Sequence, residues 1–291
     1  MLLLVPHAGP AASGNKAVAM ELAATIFPVA DIARRIAGPD SRVVQILPAG
    51  ASPHTFDLTP GQVRELQKSR LIFKIGGVDD WIDGISESLP HAAIISLQKN
   101  IALMPFHEEG HNHGHAATHG RREFDPHYWL SAENGAVMAQ TIAEALAKAD
   151  PFRAATYRAN CRAYALELAG LHQEIKKDLS SLKTNKMIVF HDAWRYFAAA
   201  YGLEIVAVFQ ASPGREPSPR DLQDLYARAR KFGIKAIFSE PQLPSTSLEP
   251  MLEDLGLELV VLDPLGGSSP GDSYVNLLRH NARAILRALG R

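Results

Sequence analysis

The apolar positions of this chain follow two periods in turn. Short β-branched or apolar runs alternate with longer segments in which apolar residues recur every three or four positions. "ELAATIFP" reads as a first strand, and "VADIARRIAG" as a helix ended by Gly38 and Pro39. "RVVQILP" is a strand leading into the loop "AGASPHTFDL", after which Thr59 caps a helix with Pro60 in its first turn. "RLIFKIGG" is a buried strand, "DDWIDGISESL" a helix and "AAIISL" another strand. An Ala-rich helix is predicted over about 131–149. Asp150 and Pro151 then start a longer helix reaching about residue 182, roughly 45 Å at 1.5 Å per residue. That length connects two lobes rather than covering one. Alternation resumes with "KMIVF", "LEIVAVF", "KAIFS" and "LELVVLD" as strands, with helices between them, one capped by Ser218, and a last helix over 272–289.

The pattern predicts an α/β protein: two lobes, each with a mostly parallel sheet flanked by helices, joined by one long bridging helix. In residues, this is an N-terminal tail or signal remnant over 1–20, a first lobe over 21–150, a bridging helix over 151–183 and a second lobe over 184–291. The opening "MLLLVPHAGPAASG" has the apolar run and small residues of a secretory signal, but no basic start, and Pro6 and His7 interrupt it. An export signal and an ordinary tail both remain open. No internal repeat is visible.

Composition narrows the chemistry. The 30 Lys and Arg balance 31 Asp and Glu, which gives no electrostatic grip on nucleic acid or on an anionic membrane. Cys161 is the single cysteine, so an internal disulfide and a thiolate zinc site are both excluded. With no cysteine near the start, a lipidated cysteine anchor is not expected either. Any metal must be held by nitrogen and oxygen.

Ligands of α/β sheets bind at the C-terminal ends of strands. Four metal-ligating side chains stand just past predicted strands or in the loops that follow them: His54 after "VVQILP", His127 in "FDPHYWL", His191 after "KMIVF" and Asp263 after "LELVVL". Two come from each lobe, which places them around the cleft. Three imidazoles and a carboxylate form a set suited to Zn²⁺. Glu240 in "FSEPQLP" also follows a strand; it is a candidate either to hydrogen-bond a ligand imidazole or to cap its loop. His7, His91, His172 and His280 read as surface residues, and Cys161 as a small buried apolar one.

At these segments the chain resembles the zinc-type cluster A-I substrate-binding proteins, which serve ABC transporters for transition metals. "PAGASPHTFDLTPGQV", "DPHYWLS", "VFHDAWRYFAAAYGL" and "VVLDPLGG" resemble, in order, the family's ligand-bearing segments. The resemblance implies ligand roles for His54, His127, His191 and Asp263, the last being the position that varies, some members completing the shell with water. Ser131 and Ala132 stand where the family usually has Asp-Pro, a change expected to alter the cap of the next helix. Manganese-selective relatives carry Glu where this chain has His191; a third imidazole moves preference toward Zn²⁺.

The resemblance further implies a periplasmic carrier that captures zinc between its lobes and delivers it to an ABC permease in the inner membrane. A monomer with no nucleic-acid partner is expected, and a zinc chaperone is a candidate further partner that the sequence does not decide. The bridging helix is expected to limit lobe motion to small tilts. Two alternatives stay open: a zinc-dependent hydrolytic enzyme, since three His with an open position also make such sites, and a Mn²⁺-specific carrier.

The segment "HEEGHNHGHAATHG" over 107–120 holds His107, His111, His113, His115 and His119, five of the twelve histidines. It has no apolar periodicity to preorganise its side chains. It is expected to be an accessory, low-affinity metal-binding loop near the cleft mouth rather than the principal site.

Overall fold

The computed structural model describes residues 20–105, 124–209, 219–242, 252–254, 256–267 and 271–290. The tail, the His-rich segment and the Ser218 cap lie outside the described residues.

The first sheet comprises β1 (Glu21–Ala24), β2 (Arg42–Gln45), β3 (Leu71–Lys74) and β4 (Ala93–Ser96), with helices α1 (Phe27–Ala37) and α2 (Pro60–Leu66) between strands. Its order is β2-β1-β3-β4, all parallel. The chain then forms α3 (Ala132–Ala149) and α4 (Ala154–Leu179) before the second sheet. That sheet holds β5 (Lys186–Val189), β6 (Glu204–Val208), β7 (Ala236–Ser239) and β8 (Glu258–Val261), with α5 (Arg195–Tyr201) and α6 (Pro219–Phe232) between strands and α7 (Tyr274–Leu289) at the end. Its order, β6-β5-β7-β8, is again all parallel. The two sheets therefore repeat one topology that the sequence does not reveal as a repeat. In each, the strand order reverses between the first and third strands, and such a switch point opens a crevice at the carboxyl ends.

Local chemistry sets the helix ends. Thr59 and Gln62 form a reciprocal capping box at α2. Ser131 caps α3 by accepting the Asn134 N–H. The segment Asp80–Ser88, expected as an α-helix, is 3₁₀. Asp83, Gly84, Ser86 and Ser88 are weak helix formers, and Ile82 is its one buried side chain, so packing does not override them.

Helix α4 spans 26 residues, about 39 Å. A 3₁₀ turn, Pro151–Arg153, takes what was expected to be its first turn. Its buried positions Tyr157, Tyr164, Leu168, Leu171, Ile175 and Leu179 form one stripe at helical spacing. His172 belongs beside that stripe and is only 7% exposed, which corrects its expected surface placement. Its ring packs against Tyr201 at 5.3 Å, because α4 is covered there by α5. His91 is exposed, His280 half-buried, and Cys161 half-buried against the core.

One contiguous core includes Leu22 and Phe73 of the first sheet, Met187, Val189 and Phe238 of the second, and residues of α1, α3, α4 and α7. Tyr274 of α7 reaches across to the first lobe. Its N–H donates to Asp31 at 2.9 Å, and its hydroxyl to the carbonyls of Trp129 and Ser131. Gly135 of α3 leaves room for that ring: a Cβ there would lie 2.6 Å from it.

Candidate metal centre

Three imidazoles meet between the two sheets. His54 stands in the loop between β2 and α2, His127 at the start of the short 3₁₀ turn Tyr128–Leu130, and His191 two residues past the end of β5. Each offers a ring nitrogen, and these nitrogens lie within 4.8 Å of one another. Ring centroids are 5.6 Å apart for His54 and His127, 5.0 Å for His54 and His191, and 4.9 Å for His127 and His191. His127 and His191 are buried, whereas His54 is half-exposed at the rim. Pro53, Trp129, Pro264 and Leu265 wall the cleft with apolar surface.

Two carboxylates orient two of the rings. Asp125 Oδ1 accepts the backbone N–H of His127 at 2.9 Å and contacts its Nδ1 at 2.8 Å. Glu240 Oε2 lies 3.3 Å from His191 Nδ1, while its Oε1 accepts the indole N–H of Trp194 at 3.1 Å. A carboxylate only accepts, so each Nδ1 carries the proton and the Nε2 lone pair is left for a metal. Asp125 and Glu240 are 1% and 5% exposed, so these pairs are shielded from competing water. Of the two readings that the sequence left open for Glu240, the structure has the imidazole-binding one.

The topology explains why His191 and Glu240 meet. They follow β5 and β7, the neighbours between which the second sheet's order reverses. The first sheet's equivalent crevice, between β1 and β3, is closed from within. There the Thr25 hydroxyl and the N–H groups of Ile75 and Gly76 all donate to the buried Asp79 carboxylate, at 2.5, 2.7 and 2.6 Å. Tyr128, next to His127, donates its hydroxyl to the Ile75 carbonyl at 2.9 Å, so this closed crevice buttresses the second ring.

Asp263 does not join the cluster. Its Oδ1 accepts the N–H groups of Leu265 and Gly266, each at 2.9 Å, and its main chain is held by Asn281 of α7. The carboxylate caps the turn after β8, and its neighbours Pro264 and Leu265 face the rings. The accessory set, His107, His111, His113, His115 and His119, lies outside the described residues.

Sequence reasoning missed Asp125 and Trp194. Asp125 had a readable signal, since Asp two residues before another residue commonly accepts that residue's N–H in an Asx turn. Trp194 had none, because its role depends on where β7 lies.

A family model described as ZnuA, zinc-uptake complex component A periplasmic, matches residues 22–288. The chain is 25% identical to the zinc-binding protein AdcA of Streptococcus pyogenes serotype M3; the match covers 91% of this chain but only 55% of AdcA. It is 27% identical to the high-affinity zinc uptake system protein ZnuA of Brucella suis biovar 1, with 84% of each chain covered. Among solved structures, a crystal structure of ZnuA is similar with a TM-score of 0.82 at 29% identity, over 93% of this chain and 99% of that one. The matched span carries both sheets, α4 and the three clustered histidines, and the chain belongs to the ZnuA family of periplasmic zinc-uptake components.

Proposed function

We propose that this chain is a periplasmic carrier that holds one Zn²⁺ on His54, His127 and His191 and delivers it to the membrane permease of an ABC transporter. The observation that carries this reading is the convergence of three imidazole nitrogens from separate loops of both lobes within 4.8 Å. Three nitrogens, two of them on rings held by buried carboxylates, suit Zn²⁺ and the later first-row ions over Mn²⁺, which favours oxygen donors. The names of the relatives, zinc-binding protein and zinc uptake system protein, support the same cargo. Nothing in this role requires a catalytic group.

With Asp263 Oδ1 engaged by two backbone N–H groups, the fourth coordination position falls to a solvent molecule. His54, the half-exposed ring on a loop, is the ligand past which zinc arrives and leaves. The His-rich segment 107–120 serves as a weaker accessory site. Deleting residues 108–119 is therefore expected to leave one tight zinc per chain, counted by elemental analysis after dialysis.

Single substitutions test the assignment. His54→Ala, His127→Ala and His191→Ala are each expected to weaken zinc by more than about 100-fold, beyond what loss of an orienting partner costs. Asp263→Ala is expected to stay within about tenfold of wild type, as a change outside the coordination shell does. Competition titration with a chelator reads both. An Asp263→Ala loss equal to that of a histidine would make Asp263 a ligand and refute the solvent-completed shell.

A further inference from the structure

The carboxylates that orient His127 and His191 come from different lobes, yet both are held by one short stretch at the start of α5. Trp194 donates its indole N–H to Glu240 Oε1 at 3.1 Å, and Glu240 contacts His191. Two residues on, Tyr196 donates its hydroxyl to the backbone carbonyl of Asp125 at 3.0 Å, and Asp125 contacts His127. The same hydroxyl accepts the Met104 N–H at 2.8 Å. Met104 and Asp125 are themselves joined, Asp125 N–H donating to the Met104 carbonyl at 2.9 Å. Tyr196 thus forms a rung between two first-lobe segments while standing on a second-lobe helix. It is 3% exposed, and its ring lies 6.4 Å from that of Tyr128, so water does not compete for the bonds.

We propose that Tyr196 is a positioning residue for the metal centre: a cross-lobe strut that fixes the separation of His127 from His191 through Asp125. The proposal rests on the three-histidine reading of the site. The tie is short on both sides. Tyr196 follows His191 by five residues, and Asp125 precedes His127 by two. Displacement of the phenol from the Asp125 carbonyl moves the segment whose side chain holds the His127 ring. Because a buried hydroxyl is lost without a change of shape, Tyr196→Phe removes the two hydrogen bonds and little else. It also takes the phenol acceptor from the Met104 N–H.

A second contact from the same helix supplies the control. Arg195 Nη1 donates to the Pro105 carbonyl at 2.6 Å, also crossing between lobes, but at an exposed place; Pro105 is bridged to Phe124, one residue before Asp125, so this bond ends on the neighbouring pair and not on Asp125 itself. Arg195→Ala therefore severs a cross-lobe bond without severing the path to His127.

The experiment compares wild type, Tyr196→Phe, Arg195→Ala and His127→Ala, each loaded with Zn²⁺ and separately with Co²⁺, whose visible absorption reports coordination geometry. Circular dichroism of the metal-free chains checks folding. Tyr196→Phe is expected to keep one zinc per chain, to release it roughly tenfold faster, as loss of an outer-shell partner does, and to alter the Co²⁺ band. Arg195→Ala is expected to match wild type in both readouts. Wild-type release and an unchanged Co²⁺ spectrum in a folded Tyr196→Phe protein would overturn the proposal, and so would an equal change in Arg195→Ala, which would mean that general lobe loosening is responsible. If His127→Ala bound zinc as wild type does, the site reading itself would fail, and that outcome is distinct from the other two.

Discussion

Asp79 and Glu240 are buried carboxylates that follow β3 and β7, the third strands of their sheets, and their environments give them different work. Asp79 accepts from Thr25, Ile75 and Gly76 and locks the first crevice shut. Burial, the largest influence, raises its pKa above the ordinary value of 3.8 despite those three donors. The consequence for stability has a definite sign. The folded pKa exceeds the unfolded one, so the native state binds more protons between the two values, and stability falls as pH rises through that window. Relative to Asp79→Asn, wild type is expected to lose stability from about pH 4 upward and then to level off, read from urea midpoints. A relative gain over that range would show that the hydrogen bonds outweigh desolvation. Residue identity was the most legible scale. His191 stood out because an imidazole just past a strand has a place to act, and His54 and His127 because they stand in loops between predicted elements, in the segments "PAGASPHTFDLTPGQV" and "DPHYWLS". The partners Asp125, Trp194 and Tyr196 did not, because a side chain that works through another residue leaves no local pattern. Asp263 stood out for the same reason as His191, yet its carboxylate caps a turn, and position after a strand does not distinguish the two uses.

Elements were legible wherever capping and periodicity agreed. Thr59 and Pro60 start α2 as their chemistry requires, and Thr59→Ala is expected to cost about 1 kcal/mol, measured by chemical denaturation. The stretch Asp80–Ser88 had an apolar rhythm without strong helix formers, and the 3₁₀ form resulted. Which helix faces which was not legible. Gly135 within α3 would be an unexplained weak point but for the Tyr274 ring, which a Cβ would meet at 2.6 Å. Gly135→Ala, ordinarily a helix-favouring change, is here expected to destabilise by about 1–3 kcal/mol through overpacking. Thermal unfolding reads the sign: a raised Tm would mean that α7 yields without loss.

At the scale of the molecule, the alternation of strand and helix announced two sheets, and the length of α4 announced the link between them. The sharing of one core by both sheets was not announced, since it depends on α1, α3, α4 and α7 packing together. That shared core opposes large lobe rotation, because opening it would expose buried apolar surface at about 25 cal/mol per Å². Small-angle scattering of metal-free and zinc-loaded protein is therefore expected to give nearly superimposable curves, and a clear contraction on loading would contradict a shared, rigid core. The central claim, that the two halves meet around a single cation, is tested most directly by anomalous diffraction at the zinc edge from crystals of the loaded protein. One principal peak is expected, about 2.0–2.1 Å from the Nε2 atoms of His54, His127 and His191. A principal peak elsewhere, with those three rings unligated, would contradict it.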